Sequence, residues 1–234
     1  MDINQYEGKA YSQNGEDGII REIFNRIGAE GKYFVEFGVE FGLECNTRYL
    51  AMTEGWSGLM MEGDTGKYQI LLQVYTGYPR VKTANCFITK ENIVKIFQEH
   101  QIPTQLDLLS IDIDGNDYWI WQALADYKPR AVIIEYNASY PPPQKRVTPY
   151  DAGFVWDGTS YFGASLASLE ALGYSMGYAL VGTDSRGVNA FFIRQDLLAK
   201  SGFAALTAEE AYHPPGYGYM GKGHPWRDGP YLEI

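Results

Sequence analysis

Two carboxylates and two glycines near the start of this 234-residue chain are its residues best suited to do chemistry. The stretch Tyr33-Phe34-Val35-Glu36-Phe37-Gly38-Val39-Glu40-Phe41-Gly42 reads as a short buried strand entering a glycine turn, with Glu36 near the strand end. Glu62 closes the next apolar run about twenty residues later, a separation that suits an acid reaching a ribose. Together they describe a pocket for the nucleoside part of a cofactor. A dinucleotide fingerprint, G-x-G-x-x-G, needs its second glycine so that the backbone can approach a pyrophosphate. Glu40 occupies that position here and would turn a carboxylate toward the phosphates. This argues against an NAD-type oxidoreductase, the main alternative from another enzyme class.

The actual spacing, Glu36-x-Gly38-x-x-x-Gly42, resembles the first motif of the S-adenosylmethionine-dependent methyltransferases with a Rossmann-like fold. The resemblance implies a cofactor without phosphate, carrying a sulfonium, an amino group and a carboxylate. An acid beside the turn favours such a ligand, with Glu36 near the methionine amino group and Glu62 on the two ribose hydroxyls. A strand and turn of an unrelated α/β domain carries the same pattern. There, Glu36 would cap the following turn and Glu62 would be a solvated strand-end acid.

The elements that must hold these residues are legible from periodicity. Residues 14–27 read as a helix capped by Asn14, with Ile19, Ile20, Ile23, Phe24 and Ile27 on one face and Gly28 as its stop. Strands are expected at 33–37, 57–62, 81–85, 106–113 and 131–136, and helices at 46–53, 90–100 and 117–125. Alternating strands and helices predict a parallel sheet with right-handed crossovers. A short helix is expected at 166–172, stopped by Gly173. Strands at 175–181 and 188–194 follow, joined closely enough to require an antiparallel hairpin. The expected architecture is α/β: a mostly parallel sheet ending in an antiparallel hairpin, with helices on both faces. This is the strand plan of the same methyltransferase fold, a seven-stranded sheet, and residues 1–234 are expected to form a single domain.

Ligands of open parallel sheets bind outside the carboxyl ends of the strands. Those ends deliver Glu36, Gly38, Glu62, Asp64, Asn85, Asp112, Asp114, Gly115, Asn116, Asp117, Glu135 and Asn137. So many acids at one edge repel one another unless a cation compensates or some are protonated. The run 109–117 resembles the K-x-D-x-E-G-x-E segment of FkbM-type methyltransferases. Gln13-x-Gly15-Glu16-Asp17 and residues 187–193 resemble further elements of that family, over roughly residues 11–194. The chain departs from the pattern at Ser110, where the family often has Lys, and at Asp114 and Asp117, where it often has Glu. A role for the family lysine therefore does not carry over. The resemblance implies methyl transfer from S-adenosylmethionine, usually to an oxygen of a sugar or small natural product.

Asp112, Asp114, Glu135 and Asn137 are hard oxygen ligands suited to Mg²⁺ or another divalent cation, which would lower the pKa of an acceptor hydroxyl. Otherwise Asp112 and Asp114 would simply order the turn before the next helix. Candidate bases are Asp112, Asp114, His213 and His224, whereas His100 is expected at a helix C-terminus. The cofactor set is thus Glu36, Gly38, Gly42, Glu62, Asn85 and Asp112. Residues 137–163, with Pro141-Pro142-Pro143, and the tail 212–234 are rich in aromatics. They are expected to form a lid over the acceptor, with Tyr140, Tyr150, Trp156, Tyr161, Tyr217 and Tyr219, or a homodimer contact. Lys145 and Arg146 would attract a phosphate or carboxylate of a nucleotide sugar.

A net charge of −10 and the lack of a basic cluster disfavour nucleic acid. Two cysteines, Cys45 and Cys86, lack metal spacing and fit a reducing compartment. No signal-like leader or membrane-length apolar run is present, so a cytoplasmic location without membrane contact is expected. A noncatalytic nucleoside-binding relative is the third reading. Retention of the whole acid set speaks against it.

Overall fold

Near-continuous apolar runs such as Leu108–Ile111 form strands that are buried on both faces. In the computed structural model, which describes residues 2–234, the strands are β1 (Tyr33–Phe37), β2 (Ser57–Glu62), β3 (Val81–Asn85), β4 (Leu108–Ile111), β5 (Ala131–Glu135), β6 (Tyr178–Thr183) and β7 (Asn189–Arg194). They make one seven-stranded sheet in the order β3-β2-β1-β4-β5-β7-β6. Pairing is parallel from β3 through β5, and β7 inserts antiparallel between β5 and β6. This is the expected Rossmann-like methyltransferase plan, hairpin included.

The helices are α1 (Glu16–Ile27), α2 (Arg48–Thr53), α3 (Thr65–Tyr75), α4 (Ile93–Glu99), α5 (Asp117–Ala123), α6 (Leu166–Ser175), α7 (Gln195–Ser201) and α8 (Ala208–Ala211). Alternation along β1 sends Phe34 to a core shared with α1, α2 and α3, and sends Val35 and Phe37 to a core shared with α4, α5 and α6. The same alternation puts Glu36, Ser110 and Asp112 on the α1 side of the sheet.

Three local expectations are corrected. Asn14 does not cap α1: Gly15 holds that position, and the acids of the first turn reach back instead. Asp17 Oδ2 accepts from the amides of Ala10, Tyr11 and Ser12 and from the Ser12 hydroxyl at 2.6–2.9 Å, fixing the segment before the helix. Gly173 does not stop α6, which runs on to Ser175. Its missing side chain makes room for the rings of Phe192 and Trp121. α3 lies where no helix was expected. No described helix is long and apolar enough to cross a membrane.

Candidate functional site

At the carboxyl edge of the sheet, the turn after β1 folds back onto the end of β4. Gly38 sits at φ +79°, and a Cβ there would fall 1.3 Å from the Asp112 carbonyl oxygen. Only glycine permits this approach. On one side of it opens a cavity of about 380 Å³, lined by residues after β1 (Gly38, Glu40), β2 (Glu62–Asp64), β3 (Cys86–Ile88) and β4 (Ile113, Asp114, Asn116), by Lys67, and by Phe154–Trp156 of the long loop.

Glu62 faces this cavity at 7% exposure. Its oxygens accept the backbone N–H groups of Glu40 (2.8 Å) and Asp64 (2.7 Å). Each oxygen keeps a second lone pair, so the carboxylate is oriented without being used up. Glu40, in a left-handed conformation, also faces the cavity, and its charge is paired with Lys67 at 2.6 Å.

Two expected cofactor contacts lie elsewhere. Gly42 packs where a Cβ would meet Leu71 and Tyr75, so its role is to seat α3, and it does not line the cavity. Asn85 also lies outside the lining: its amide donates to the carbonyls of Glu62 and Gly63 and its oxygen accepts from Thr65. It braces the β2 end. The residues that face the cavity from this side, Cys86, Phe87 and Ile88, directly follow β3 and carry no polar strand-end signal.

Behind Gly38 the acids converge. Carboxylate oxygens of Asp112, Asp114 and Glu135 lie within 4.8 Å of one another. Burial, then Asp114 and Asp117, hold the Asp112 carboxyl well above the ordinary range. Burial, then Asp112 and Asp114, do the same to Glu135. Asp114 reaches solvent through the cavity yet is crowded by protein, and burial followed by Asp117 and Glu40 pushes it up to about 6. Its backbone is left-handed, at φ +57°. Neither Asp112 nor Asp114 orders the turn. Asp117 does so, accepting from Ile113 N (2.8 Å) and Gly115 N (2.9 Å). Among the described residues, none donates to Glu135 Oε2, which is buried. The donor set is all oxygen, three-sided and short of positive charge, and so fits a hard divalent cation.

Asn137 leaves this set. Its amide donates to the carbonyls of Ser160 and Phe162, and its oxygen accepts from Ser139 N. It clamps the lid loop. His224 is also corrected as a catalytic candidate. Its ring packs against Trp156 (4.5 Å), Tyr217 (5.0 Å) and Phe162 (6.1 Å), outside the cavity lining, and burial lowers its pKa. It supports Trp156 from behind. His213 binds the Thr183 hydroxyl through Nδ1 at 2.9 Å and pins the tail to β6. His100 caps the C-terminus of α4, as expected.

The loop and tail are stitched together. Val147 bridges both Ala164 and Leu232, Ser160 N donates to Pro225 O, the Tyr161 hydroxyl donates to Pro230 O, and the hydroxyls of Tyr140 and Tyr231 meet. Of the expected lid aromatics, Trp156 lines the cavity, whereas Tyr219 is solvent-exposed. Arg146 stacks over Tyr140 and Tyr231 and lies away from the cavity.

The acids with raised pKa have a consequence for stability. A carboxyl whose pKa is higher in the fold than in the unfolded chain favours folding at low pH, and that advantage is lost as pH rises through the folded value. Asp184, pushed up to about 7 mainly by burial, and Asp114 set a window from about pH 4 to about 7. Glu91, Asp157 and Asp196 shift the other way, but at the surface. The melting temperature is therefore expected to fall between pH 5 and pH 8. A rise across that interval in scanning fluorimetry would contradict the assignment.

No family model matches the chain, and no curated protein sequence matches it. Among solved structures it is similar to the N-terminal domain of EvdMO1 with SAH bound, with TM-score 0.47 and 14% identity over 78% of this chain and 80% of that one. It is also similar to a SAM dependent methyltransferase from Aquifex aeolicus, with TM-score 0.44 and 11% identity over 74% of this chain and 88% of that one. An S-adenosylmethionine-dependent methyltransferase from Clostridium acetobutylicum ATCC 824 gives TM-score 0.48 and 10% identity over 74% and 88%. The functional reading rests on the site residues of this chain.

Proposed function

We propose that the protein is an S-adenosylmethionine-dependent methyltransferase acting on an oxygen of a small polar acceptor, such as a saccharide or nucleotide-sugar intermediate. One observation carries this reading. A cavity of about 380 Å³ at the carboxyl edge of the sheet holds a half-satisfied Glu62 carboxylate over apolar walls, Ile88 and Ile113, and meets a carboxylate cluster at Gly38. Such a cavity suits a nucleoside whose cationic end lies toward the acids.

When bound, S-adenosylmethionine supplies a methyl group activated by its sulfonium. Glu62 grips the ribose diol. Phe87 and Ile88 flank the base. Phe154, Val155 and Trp156 exclude water from the reacting face. Asp114, whose pKa is pushed up to about 6 mainly by burial, would take the proton of the acceptor hydroxyl. Asp112 supplies charge beside it. Alternatively, Asp112, Asp114 and Glu135 would together hold a divalent cation; Asp114 would then be a ligand, and the cation's Lewis acidity would lower the pKa of an acceptor oxygen in its place. Aromatic loop residues favour a sugar or ring-bearing acceptor.

A thermal-shift comparison with S-adenosylhomocysteine, NAD and buffer tests the core of this reading. A ligand at a hundred times its Kd adds about 2.7 kcal/mol of stability, so only S-adenosylhomocysteine should raise the melting temperature. A shift with NAD alone, or with neither ligand, rejects the proposal. The cation is tested separately by titrating Mg²⁺ and Mn²⁺ into chelator-treated protein in a calorimeter. Binding heat is expected in the parent protein and absent after Glu135→Gln, and a parent without heat removes the metal.

A further inference from the structure

Phe154 and Val155 line the large cavity and also a second cleft, of about 520 Å³, between the long loop and the tail. Sites for small organic ligands run from about 300 to 1,000 Å³, so this cleft is large enough to be one. Thr148, Tyr150, Asp151, Phe154, Tyr161 and Arg227 supply its chemistry. The mechanism above uses none of them except Phe154.

The walls are fixed from behind. Asn116 Nδ2 donates to the Asp151 carbonyl (2.8 Å), and Trp119 Nε1 donates to the Thr148 carbonyl (2.9 Å), so the loop is tied to the start of α5. Arg227 N donates to the Ser160 hydroxyl (3.0 Å) and the Tyr161 hydroxyl to Pro230 O (3.0 Å), which ties the tail to the loop. A ligand entering a cleft already held in shape meets little ordering cost.

The polar groups on these walls are incompletely used. Thr148 is 2% exposed, its amide donates to Gly163 O, and yet its hydroxyl is buried with no partner among the described residues. A hydroxyl both donates and accepts, so another hydroxyl satisfies it best. Asp151 accepts from Gly153 N (2.9 Å) and keeps further acceptor sites. The Arg227 guanidinium stacks over the Tyr161 ring at 4.9 Å and pairs with Asp157, with N–H donors to spare. Charge selects among ligands. The lining holds one cation and one anion, and the cation is already paired, so there is no excess positive charge to draw a phosphate. Tyr150 and Phe154, both half-buried, add apolar surface suited to the C–H face of a sugar ring.

We propose that this cleft holds a neutral saccharide unit of the acceptor, beside the unit that is methylated. The inference rests on the methyltransferase reading above and narrows it. The acceptor is a glycan of at least two units, not a nucleotide sugar. Val155 is 75% exposed, so the ridge shared by the cleft and the large cavity lies at the surface, and an extended glycan crosses it from outside. Contacts to a unit that does not react serve to orient the one that does.

The test follows cellobiose, maltose and lactose by saturation-transfer NMR on cofactor-free protein, with inorganic phosphate as competitor. At least one disaccharide should bind and should not be displaced by phosphate. Its affinity should fall about 10-fold or more in Arg227→Ala and about 3-fold or more in Thr148→Val. Melting temperatures near the parent's show that the variants are folded. Arg227 is half-exposed, so its variant carries the test even if the buried threonine does not tolerate replacement. Displacement by phosphate would make the cleft an anion site and overturn the assignment. Affinity unchanged in Arg227→Ala would place the sugar elsewhere and overturn it too. S-adenosylhomocysteine is titrated separately into the same protein. If it binds and no disaccharide does, this inference falls and the cofactor reading stands. If a disaccharide binds and S-adenosylhomocysteine does not, the cofactor reading falls and takes the acceptor role of the cleft with it.

Discussion

Replacing Glu62 by Ala is expected to weaken S-adenosylhomocysteine binding by about two to three orders of magnitude. The carboxylate offers its two remaining lone pairs side by side, and each charge-assisted hydrogen bond to a ribose hydroxyl is worth about 1.5–3 kcal/mol. The amides of Glu40 and Asp64 hold it rigidly, so little ordering entropy opposes binding in the parent. The substitution also frees both amides and loosens the two turns that frame the cavity. Calorimetric titration of the parent and variant measures the effect. An affinity within a factor of three of the parent would remove Glu62 from the ligand and, with it, the main support for the nucleoside pocket.

Gly38→Val should be the most destabilising single change at the site, by about 3 kcal/mol or more. Two costs combine. The residue sits at φ +79°, which a β-branched side chain tolerates poorly, and any Cβ overlaps the Asp112 carbonyl oxygen. Relief requires the β1 turn to lift off the end of β4, separating Glu36 from Ser110 and deforming the cavity beside Gly38. Urea denaturation monitored by tryptophan fluorescence gives the stability change, and ligand titration of the folded fraction gives the effect on binding. A loss of less than about 1 kcal/mol would mean that the approach of the two strand ends is softer than the geometry requires.

Much of the scaffold was legible in the sequence because it follows from short-range periodicity. The strand bounds of β2 and β3, the apolar stripe of α1 and the antiparallel hairpin each rest on a pattern visible within a dozen residues. α3 escaped because Ile70, Leu71, Leu72 and Val74 spread around its circumference. Only Leu71 and Tyr75 are buried, so no single face stands out. Among the candidate site residues, strand-end logic placed Gly38, Glu62, Asp112 and Asp114 at the carboxyl edge of the sheet, where they lie. Gly42 and Asn85 were misassigned because nothing local distinguishes a glycine that seats a helix from one that faces a ligand, or a brace from a contact. Glu36, expected at the cofactor, already accepts from the amides of Asn46 and Thr47 and the hydroxyls of Thr47 and Ser110; the first two residues come from the segment before α2 and Ser110 arrives through β1–β4 pairing, so nothing near Glu36 in the sequence reveals it. The placement of Phe154–Trp156 over the cavity depends on contacts with a tail some seventy residues away.

Phe154 lies with its ring against Gly115, the residue that follows Asp114. The flap and the carboxylates therefore share one microenvironment. Phe154 and Asp114 line the same cavity, and burial is the main reason that the Asp114 carboxyl holds its proton more tightly than a solvated acid. In the proposed reaction, the strength of the base would thus depend on how fully the loop encloses it.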